Sequence, residues 1–169
     1  MKLLRLTFLM ALIGGFFGFS SCGPNNNVEP SIEEAQLKKL NNTKGWIVTK
    51  AELNNNDYLA DYTGFKIVFE GTYTADGGTY TYTLSNRPVA TVAKPGLKSP
   101  WPKNSGKWKF GAPASSVIIR ESDPADVAFM QEIEYTITTD KLQLDFIYVG
   151  DGYSAKVDGA WHMEFTPAP

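Results

Sequence analysis

The sequence predicts an all-β protein: an antiparallel β-barrel of about eight strands behind one short N-terminal helix. Three observations support this prediction. After residue 44 the chain is rich in Thr, Tyr, Val, Ile, Phe and Trp, which favour strands. Clusters of Asn, Asp and Gly interrupt these runs, as turns do. Apolar and polar residues alternate in the C-terminal third, which is typical of strands with one buried and one solvated face.

The predicted helix covers residues 31–40. Ser31 is a suitable N-cap, and Glu34 stands three residues later, which is the spacing of a capping box. Ile32, Leu37 and Leu40 give the helix a modest apolar stripe, and Asn41-Asn42 ends it. We therefore expect a single short, capped helix.

The predicted strands fill most of the remaining chain. They are residues 45–53, 64–70, 72–75 continuing into 79–85, 106–110, 115–121, 128–138, 141–149 and 154–166. Short connections join most neighbours, which favours antiparallel hairpins because parallel pairing needs a long crossover. Eight such strands close into a barrel without exposed edges. A two-sheet sandwich has the same alternation and is the alternative.

His162 lies on the predicted outer face of the last strand, in phase with Asp158 and Glu164. An imidazole between two carboxylates suits cation binding or acid–base chemistry. The alternative is a surface histidine among surface acids, which has no chemical role.

The first residues read as an export signal. Lys2 and Arg5 form a short positive n-region, residues 3–19 are otherwise apolar or small, and small residues follow. This order is typical of a secretory signal peptide. Residues 19–22, Phe-Ser-Ser-Cys, resemble the bacterial lipobox, whose cysteine receives a diacylglyceryl group. An ordinary signal peptide beside a chance cysteine is the alternative.

The lipobox resemblance implies three segments: a signal peptide over 1–21, a lipidated flexible tether over 22–30 and one barrel domain over 31–169. Acyl chains on Cys22 imply membrane attachment in a Gram-negative cell envelope, at the outer membrane, with the leaflet undetermined. Cys22 is the only cysteine of the chain, so an intramolecular disulfide is excluded. If Cys22 is acylated, thiol chemistry is excluded as well.

Composition also excludes several function classes. A formal net charge of −2 gives no reason to expect a nucleic-acid partner. A single histidine excludes His-rich zinc sites. The sequence contains neither a Gly-rich phosphate loop nor a nucleophile elbow. We therefore expect a monomeric protein that is not an enzyme, with no catalytic residue, no metal and no cofactor.

A glycine precedes a tryptophan in three strands, at Gly45-Trp46, Gly106-Lys107-Trp108 and Gly159-Ala160-Trp161. Glycine before an inward tryptophan lets a strand bend or another backbone approach closely. With the lipobox and the capped helix, these motifs resemble the lipocalin-like lipoproteins of Bacteroidetes-type bacteria. The resemblance covers nearly all of the mature chain and implies a lipocalin-like barrel rather than a particular activity.

Charge is strongly segregated along the chain. Residues 77–120 contain seven basic and no acidic residues, so the rest of the mature chain carries a formal −11. Residues 86–104 include four prolines, and a connection of this length is usually functional or disordered. Trp101 stands between two of these prolines, with Lys98 and Lys103 nearby.

An indole held among cations suits a sugar ring, an acidic glycan or a lipid headgroup, so Lys98, Trp101 and Lys103 are candidate binding residues. The alternative is that Trp101 folds back as a lid on the core. Tyr80 and Tyr82 share a strand face and either line a cavity or fill the core, since small barrels do both.

The leading hypothesis is non-enzymatic binding of a glycan or a small amphiphilic or anionic ligand. The alternative is an accessory subunit or inhibitor that contacts another envelope protein, and a hydrolase is a third reading. The partners expected on these readings are the membrane, through Cys22, and a glycan, a lipid or an envelope protein.

Overall fold

The computed structural model describes residues 29–75, 78–89, 99–101, 103–121, 130–149 and 158–169. These residues form one α-helix, α1 (Ile32–Leu40), and nine strands. The strands are β1 (Trp46–Leu53), β2 (Asn56–Asp57), β3 (Lys66–Thr72), β4 (Thr79–Ser85), β5 (Ser105–Phe110), β6 (Val117–Glu121), β7 (Met130–Ile137), β8 (Leu142–Tyr148) and β9 (Gly159–Pro167). A one-turn 3₁₀ helix, Leu59–Tyr62, lies between β2 and β3. No helix among these residues is long and apolar enough to span a membrane.

Eight of the strands form a closed antiparallel barrel. Each strand from β3 to β9 pairs with the next, and β1 pairs with both β3 and β9. The pairing of β1 with β9 closes the sheet, which distinguishes the barrel from the sandwich alternative. The predicted all-β fold with one short helix is confirmed, and the two-residue β2 is an addition to it.

The helix closes one end of the barrel, which we call the helix end. The Ser31 hydroxyl accepts a hydrogen bond from the Glu34 N–H at 3.1 Å, as the cap prediction requires. Leu37 and Leu40 of the predicted stripe are buried, whereas Ile32, in the first turn of the helix, is 64% exposed. The indole N–H of Trp46 donates to the Leu40 carbonyl at 3.1 Å. The cap and the buried leucines therefore fix where the helix meets the first barrel strand.

The opposite end is the mouth. Here β1 ends, β3 begins, β4 ends at Ser85 and β5 begins at Ser105. These strand ends meet at the mouth because successive connections in an antiparallel barrel alternate between its two ends. The described parts of the connection between β4 and β5, residues 86–89, 99–101 and 103–104, therefore lie at the mouth.

One predicted strand boundary is wrong. The sequence pattern places residues 72–75 with 79–85, but β3 continues through Gly71 to Thr72, which pairs with Thr79. Gly71 keeps its ladder position opposite Tyr80 because a single glycine weakens a strand without ending it. The turn of this hairpin therefore comes after Thr72.

Tryptophan and other aromatic side chains dominate the core. Trp46, Trp108 and Trp161, which follow the three glycines, are each 3% exposed or less. Gly45 adopts a φ of +82°, and a β-carbon there would lie 2.9 Å from the Ile67 carbonyl oxygen. The glycine thus permits β1 to approach β3, as the motif predicts.

We expect Gly45→Ala to lower the free energy of unfolding by about 1–3 kcal/mol, the cost of a side chain held in a left-handed backbone conformation. The steric contact with Ile67 adds to this cost. Urea unfolding followed by circular dichroism measures the change. Lys44→Ala, at the exposed neighbouring residue, is the control and is expected to change stability by less than about 0.5 kcal/mol. Equal stability of both variants would contradict the close approach.

Candidate functional site

Residues 99–101, which we call the plug, enter the barrel at the mouth. Trp101 is 1% exposed, and its ring packs against the rings of Phe65, Tyr82 and Phe146 at centroid distances of 6.4, 5.5 and 6.0 Å. Of the two sequence alternatives, the lid on the core is the one observed. The expectation of a surface-presented indole is wrong, because the neighbouring rings leave an apolar slot that the indole fills.

Arg120 lies directly against the plug. It is 3% exposed, and its guanidinium carbon stands 4.7 Å from the centroid of the Trp101 ring. Its Nη1 donates to the Pro100 carbonyl at 2.8 Å, and its Nη2 donates to the Gln131 side-chain oxygen. Gln131 in turn donates to the Ile147 carbonyl at 2.8 Å. A guanidinium with defined partners is thus built into the barrel interior.

No carboxylate among the described residues forms an ion pair with Arg120. Burial lowers the pKa of Arg120, while Tyr82 and Tyr148 act to raise it. Arginine nevertheless keeps its proton in proteins, so the buried group is a cation. Buried charges are normally paired. Oxygen dipoles and one ring face compensate this one instead.

Two further cations stand at the mouth. Arg87 is partly exposed; its Nε donates to the Asn104 side chain at 2.7 Å, and its Nη1 donates to the Trp101 carbonyl at 3.1 Å. Lys103 is exposed. Burial raises the pKa of Tyr82, and the charges of Arg120, Lys103 and Arg87 act in the opposite direction. Three cations therefore surround one buried phenol.

The plug also carries an unsatisfied donor. The indole N–H of Trp101 is buried and has no hydrogen-bond partner among the described residues. Its backbone N–H, in contrast, donates to the Ser99 hydroxyl at 3.2 Å. Buried donors without acceptors are rare and costly in native proteins. Among the described residues, the mouth therefore holds a cation without an anion, Arg120, and a donor without an acceptor, the indole N–H of Trp101.

The structure brings together some of the predicted binding residues and separates others. Tyr82, Trp101 and Lys103 belong to the mouth. Tyr80 is buried nearer the helix end, where it stacks on Trp108 at 4.7 Å, so it belongs to the core. Cys22 and Lys98 lie outside the described residues.

Sequence reasoning missed Arg120, Arg87 and Gln131 as site residues. The available signal was strand phase. Arg120 lies two residues after the inward Ile118, and Gln131 lies two residues before the inward Ile133. A charged or amide side chain at an inward position is the mark of a buried polar site.

The outer face of β7, β8, β9 and β1 has the opposite charge. It contains a groove of about 1020 Å³, and Glu134 and Asp145 lie directly opposite each other in register there. Ile147 and Val149 are 70% and 65% exposed beside these acids. Of the basic stretch predicted from the sequence, Arg87, Lys103 and Arg120 lie at the mouth, whereas this outer wall carries Glu134, Asp145 and Glu164.

His162 sits in this acidic wall. Its Nδ1 lies 2.6 Å from an Asp145 oxygen, and its Nε2 lies 3.2 Å from a Glu164 oxygen. The predicted partner Glu164 is correct, whereas Asp145, on the neighbouring strand, takes the place expected for Asp158. Alternation along the sequence shows which residues of one strand share a face, but it does not show which residues of the neighbouring strand lie beside them. The described residues include no group of His, Cys, Asp and Glu arranged to hold a metal ion.

The two carboxylates hold the proton of His162. Burial acts to lower the pKa of His162, but the hydrogen bonds with Asp145 and Glu164 outweigh it, so the pKa is raised above 6.5. The hydrogen bond from Lys141 and the contact with His162 lower the pKa of Glu164 despite its burial. Both shifts favour the charged forms of His162 and Glu164, so the cluster favours ion pairing and a structural role.

Comparison of the chain with protein-family models, with curated proteins and with solved structures finds no match in any of the three. The function must therefore be argued from the geometry of the chain itself. A closed barrel with a polar mouth is compatible with a binding function.

We expect His162 to make stability fall as pH rises. A raised pKa in the folded state gives a contribution that is complete below pH 6.5 and is lost as pH rises through the folded-state pKa. His162→Gln removes this dependence. Urea unfolding at pH 6, 7, 8 and 9 tests it, and the chain has no other histidine to confuse the result. A variant with the same pH slope as the parent would contradict the ion pairs.

Proposed function

We propose that this protein is an envelope lipoprotein that binds an anionic glycan or amphiphile at the barrel mouth without chemically changing it. The observation that carries the proposal is Arg120, a buried guanidinium with no carboxylate partner among the described residues. Because burying a charge is costly and buried charges are normally paired, the unpaired guanidinium supports a site for an anionic group.

The arrangement of cations suits stepwise capture of an anion. Lys103 is exposed and Arg87 is partly exposed, so a ligand that arrives from solvent meets these two side chains first. Arg120 lies deeper, where a hydrogen bond to an anion is stronger because water is excluded. Arginine has five N–H donors, of which the described contacts use two on Arg120. Its planar fork suits carboxylate, sulfate or phosphate oxygens.

Aromatic rings lie buried beneath these cations. The rings of Trp101 and Tyr82 are T-shaped at 5.5 Å, and the Arg120 guanidinium lies over the Trp101 ring. A ligand that arrives from solvent therefore meets the cations first, and its acidic group is the part that they bind. The rest of the interior is filled by large side chains, which supports binding at the mouth over binding deep in the barrel.

The proposed location depends on Cys22, with residues 22–30 as a tether to the outer membrane of a Gram-negative envelope. The lipobox resemblance and the signal-like leader support it. An anchored barrel would meet lipids and glycans at the membrane surface, which is consistent with the proposed ligand class.

The ligand proposal predicts that Arg87→Gln with Lys103→Glu weakens binding to anionic probes by about tenfold, or ~1.4 kcal/mol. Two probes separate the ligand sources: dextran sulfate for glycans, and phosphatidylglycerol vesicles compared with phosphatidylcholine vesicles for amphiphiles. Fluorescence titration at fixed salt measures both affinities.

A charge-matched control is Lys38→Gln with Lys39→Glu, two exposed residues of α1 at the helix end. This control is expected to bind both probes as the parent does. Equal losses in both double variants would indicate general electrostatic attraction and overturn the proposed function. So would a parent protein that binds neither dextran sulfate nor phosphatidylglycerol vesicles.

The anchor proposal predicts that Cys22→Ser abolishes incorporation of labelled fatty acid and releases the protein from the membrane fraction. Removing the thiol removes the only acceptor for the acyl group in the lipobox. Metabolic labelling and fractionation measure both effects. A variant that keeps its label and its membrane attachment would place the anchor elsewhere.

A further inference from the structure

We propose that the plug occupies a ligand site of this protein: the Trp101 ring and the Pro100 carbonyl stand in for a cyclic apolar group that carries a carboxylate. A ligand of this class would displace the plug and pair with Arg120. This inference rests on the proposed function, because it specifies which anionic ligand the mouth accepts.

The first argument is the shape of the slot. Tyr82 and Phe146 stand nearly edge-on to the indole, at interplanar angles of 67° and 72°, and Phe65 packs at 41°. The Arg120 guanidinium lies over the ring. A slot walled by rings and covered by a cation accepts a planar ring, and cation–π attraction favours an electron-rich one.

The second argument is the polar half of the contact. Arg120 Nη1 is bonded to a neutral oxygen, the Pro100 carbonyl, at 2.8 Å. A carboxylate in that position makes a charge-assisted hydrogen bond, roughly twice as strong as a bond between neutral groups. The plug therefore satisfies the apolar part of the slot and leaves the cation without an anion.

The third argument is the indole N–H. Trp101 is buried at 1% exposure, yet its Nε1 has no acceptor among the described residues. In contrast, the indoles of Trp46 and Trp108 donate to the carbonyls of Leu40 and Thr81 at 3.1 and 2.9 Å. Trp101 thus differs from these core tryptophans in filling a slot that leaves its polar atom unpaired.

Displacing the plug also has a defined electrostatic consequence. The Trp101 carbonyl now accepts from Arg87 Nη1 at 3.1 Å. When the plug leaves, Arg87 loses this acceptor and becomes available to the ligand. Because part of the binding energy is used to open the slot, the apparent affinity of the parent is lower than that of a protein without the plug.

The experiment uses Trp101→Ala, which empties the slot, and two probes that share the indole ring and differ by the carboxylate group: indole-3-acetate and neutral 3-methylindole. We expect saturable 1:1 binding of indole-3-acetate to the variant by calorimetry, at least tenfold tighter than binding of 3-methylindole. We also expect indole-3-acetate to bind the Trp101→Ala variant more tightly than it binds the parent. A bound ligand raises the thermal midpoint of the variant.

Arg120→Gln in the Trp101→Ala background is expected to abolish the preference for the acid while leaving the neutral probe unaffected. Trp101→Leu, which keeps apolar volume in the slot, replaces the alanine variant if circular dichroism shows that the latter is unfolded. A folded variant that binds neither probe, or binds both equally, would overturn the inference. So would a parent that binds indole-3-acetate as tightly as the variant.

These outcomes are independent of the test of the proposed function. Loss of dextran sulfate or vesicle binding in the Arg87 and Lys103 double variant reports on the mouth surface alone. A mouth that binds anions while the emptied slot rejects indole-3-acetate would remove the plug inference and leave the proposed function in place.

Discussion

The contact between Arg120 and Trp101 is the interaction on which the mouth of this barrel depends. It holds a segment from the connection between β4 and β5 inside the barrel, where the indole meets rings from three other parts of the chain. The same guanidinium reaches β7 through Gln131, and Gln131 reaches β8. One cation therefore connects the plug to three strands.

This arrangement is unusual in its electrostatics. A buried cation is commonly neutralised by a carboxylate, and a fully apolar replacement often costs no stability. Here Asp145 and Glu164 pair with His162 on the outer wall, while Arg87, Lys103 and Arg120 lie at the mouth around Tyr82. The separation leaves the mouth electrostatically prepared for an anion, which is the physical basis of the proposed binding function.

The architecture was predictable from the sequence because it depends on local patterns. The Ser31 cap, the alternation of Leu142 to Phe146 and the inward tryptophans after Gly45, Gly106 and Gly159 each depend on residues near one another in the chain. The end of β3 at Thr72 was predicted wrongly because the predicted strand stopped before Gly71. The pairing of Gly71 with Tyr80, which continues the strand, is a contact between residues that the local pattern does not reveal.

The site was predictable only in part because it depends on contacts between distant residues. Proline-flanked Trp101 drew attention, but nothing near it in sequence reveals that Arg120, nineteen positions later, covers its ring. The same holds for His162, whose partner Asp145 comes from the adjacent strand. Strand phase was the one local signal, since it places Arg120 and Gln131 on the inner face.

If Arg120 holds Trp101 inside the barrel, an acidic ring that pairs with Arg120 displaces the indole. Solvent exchange of the Trp101 indole proton, followed by nuclear magnetic resonance of the parent protein, reports this displacement. We expect slow exchange in the free protein and rapid exchange at saturating indole-3-acetate, with no such change at equal 3-methylindole. Rapid exchange in the free protein, or slow exchange that indole-3-acetate leaves unaltered at saturation, would contradict this expectation.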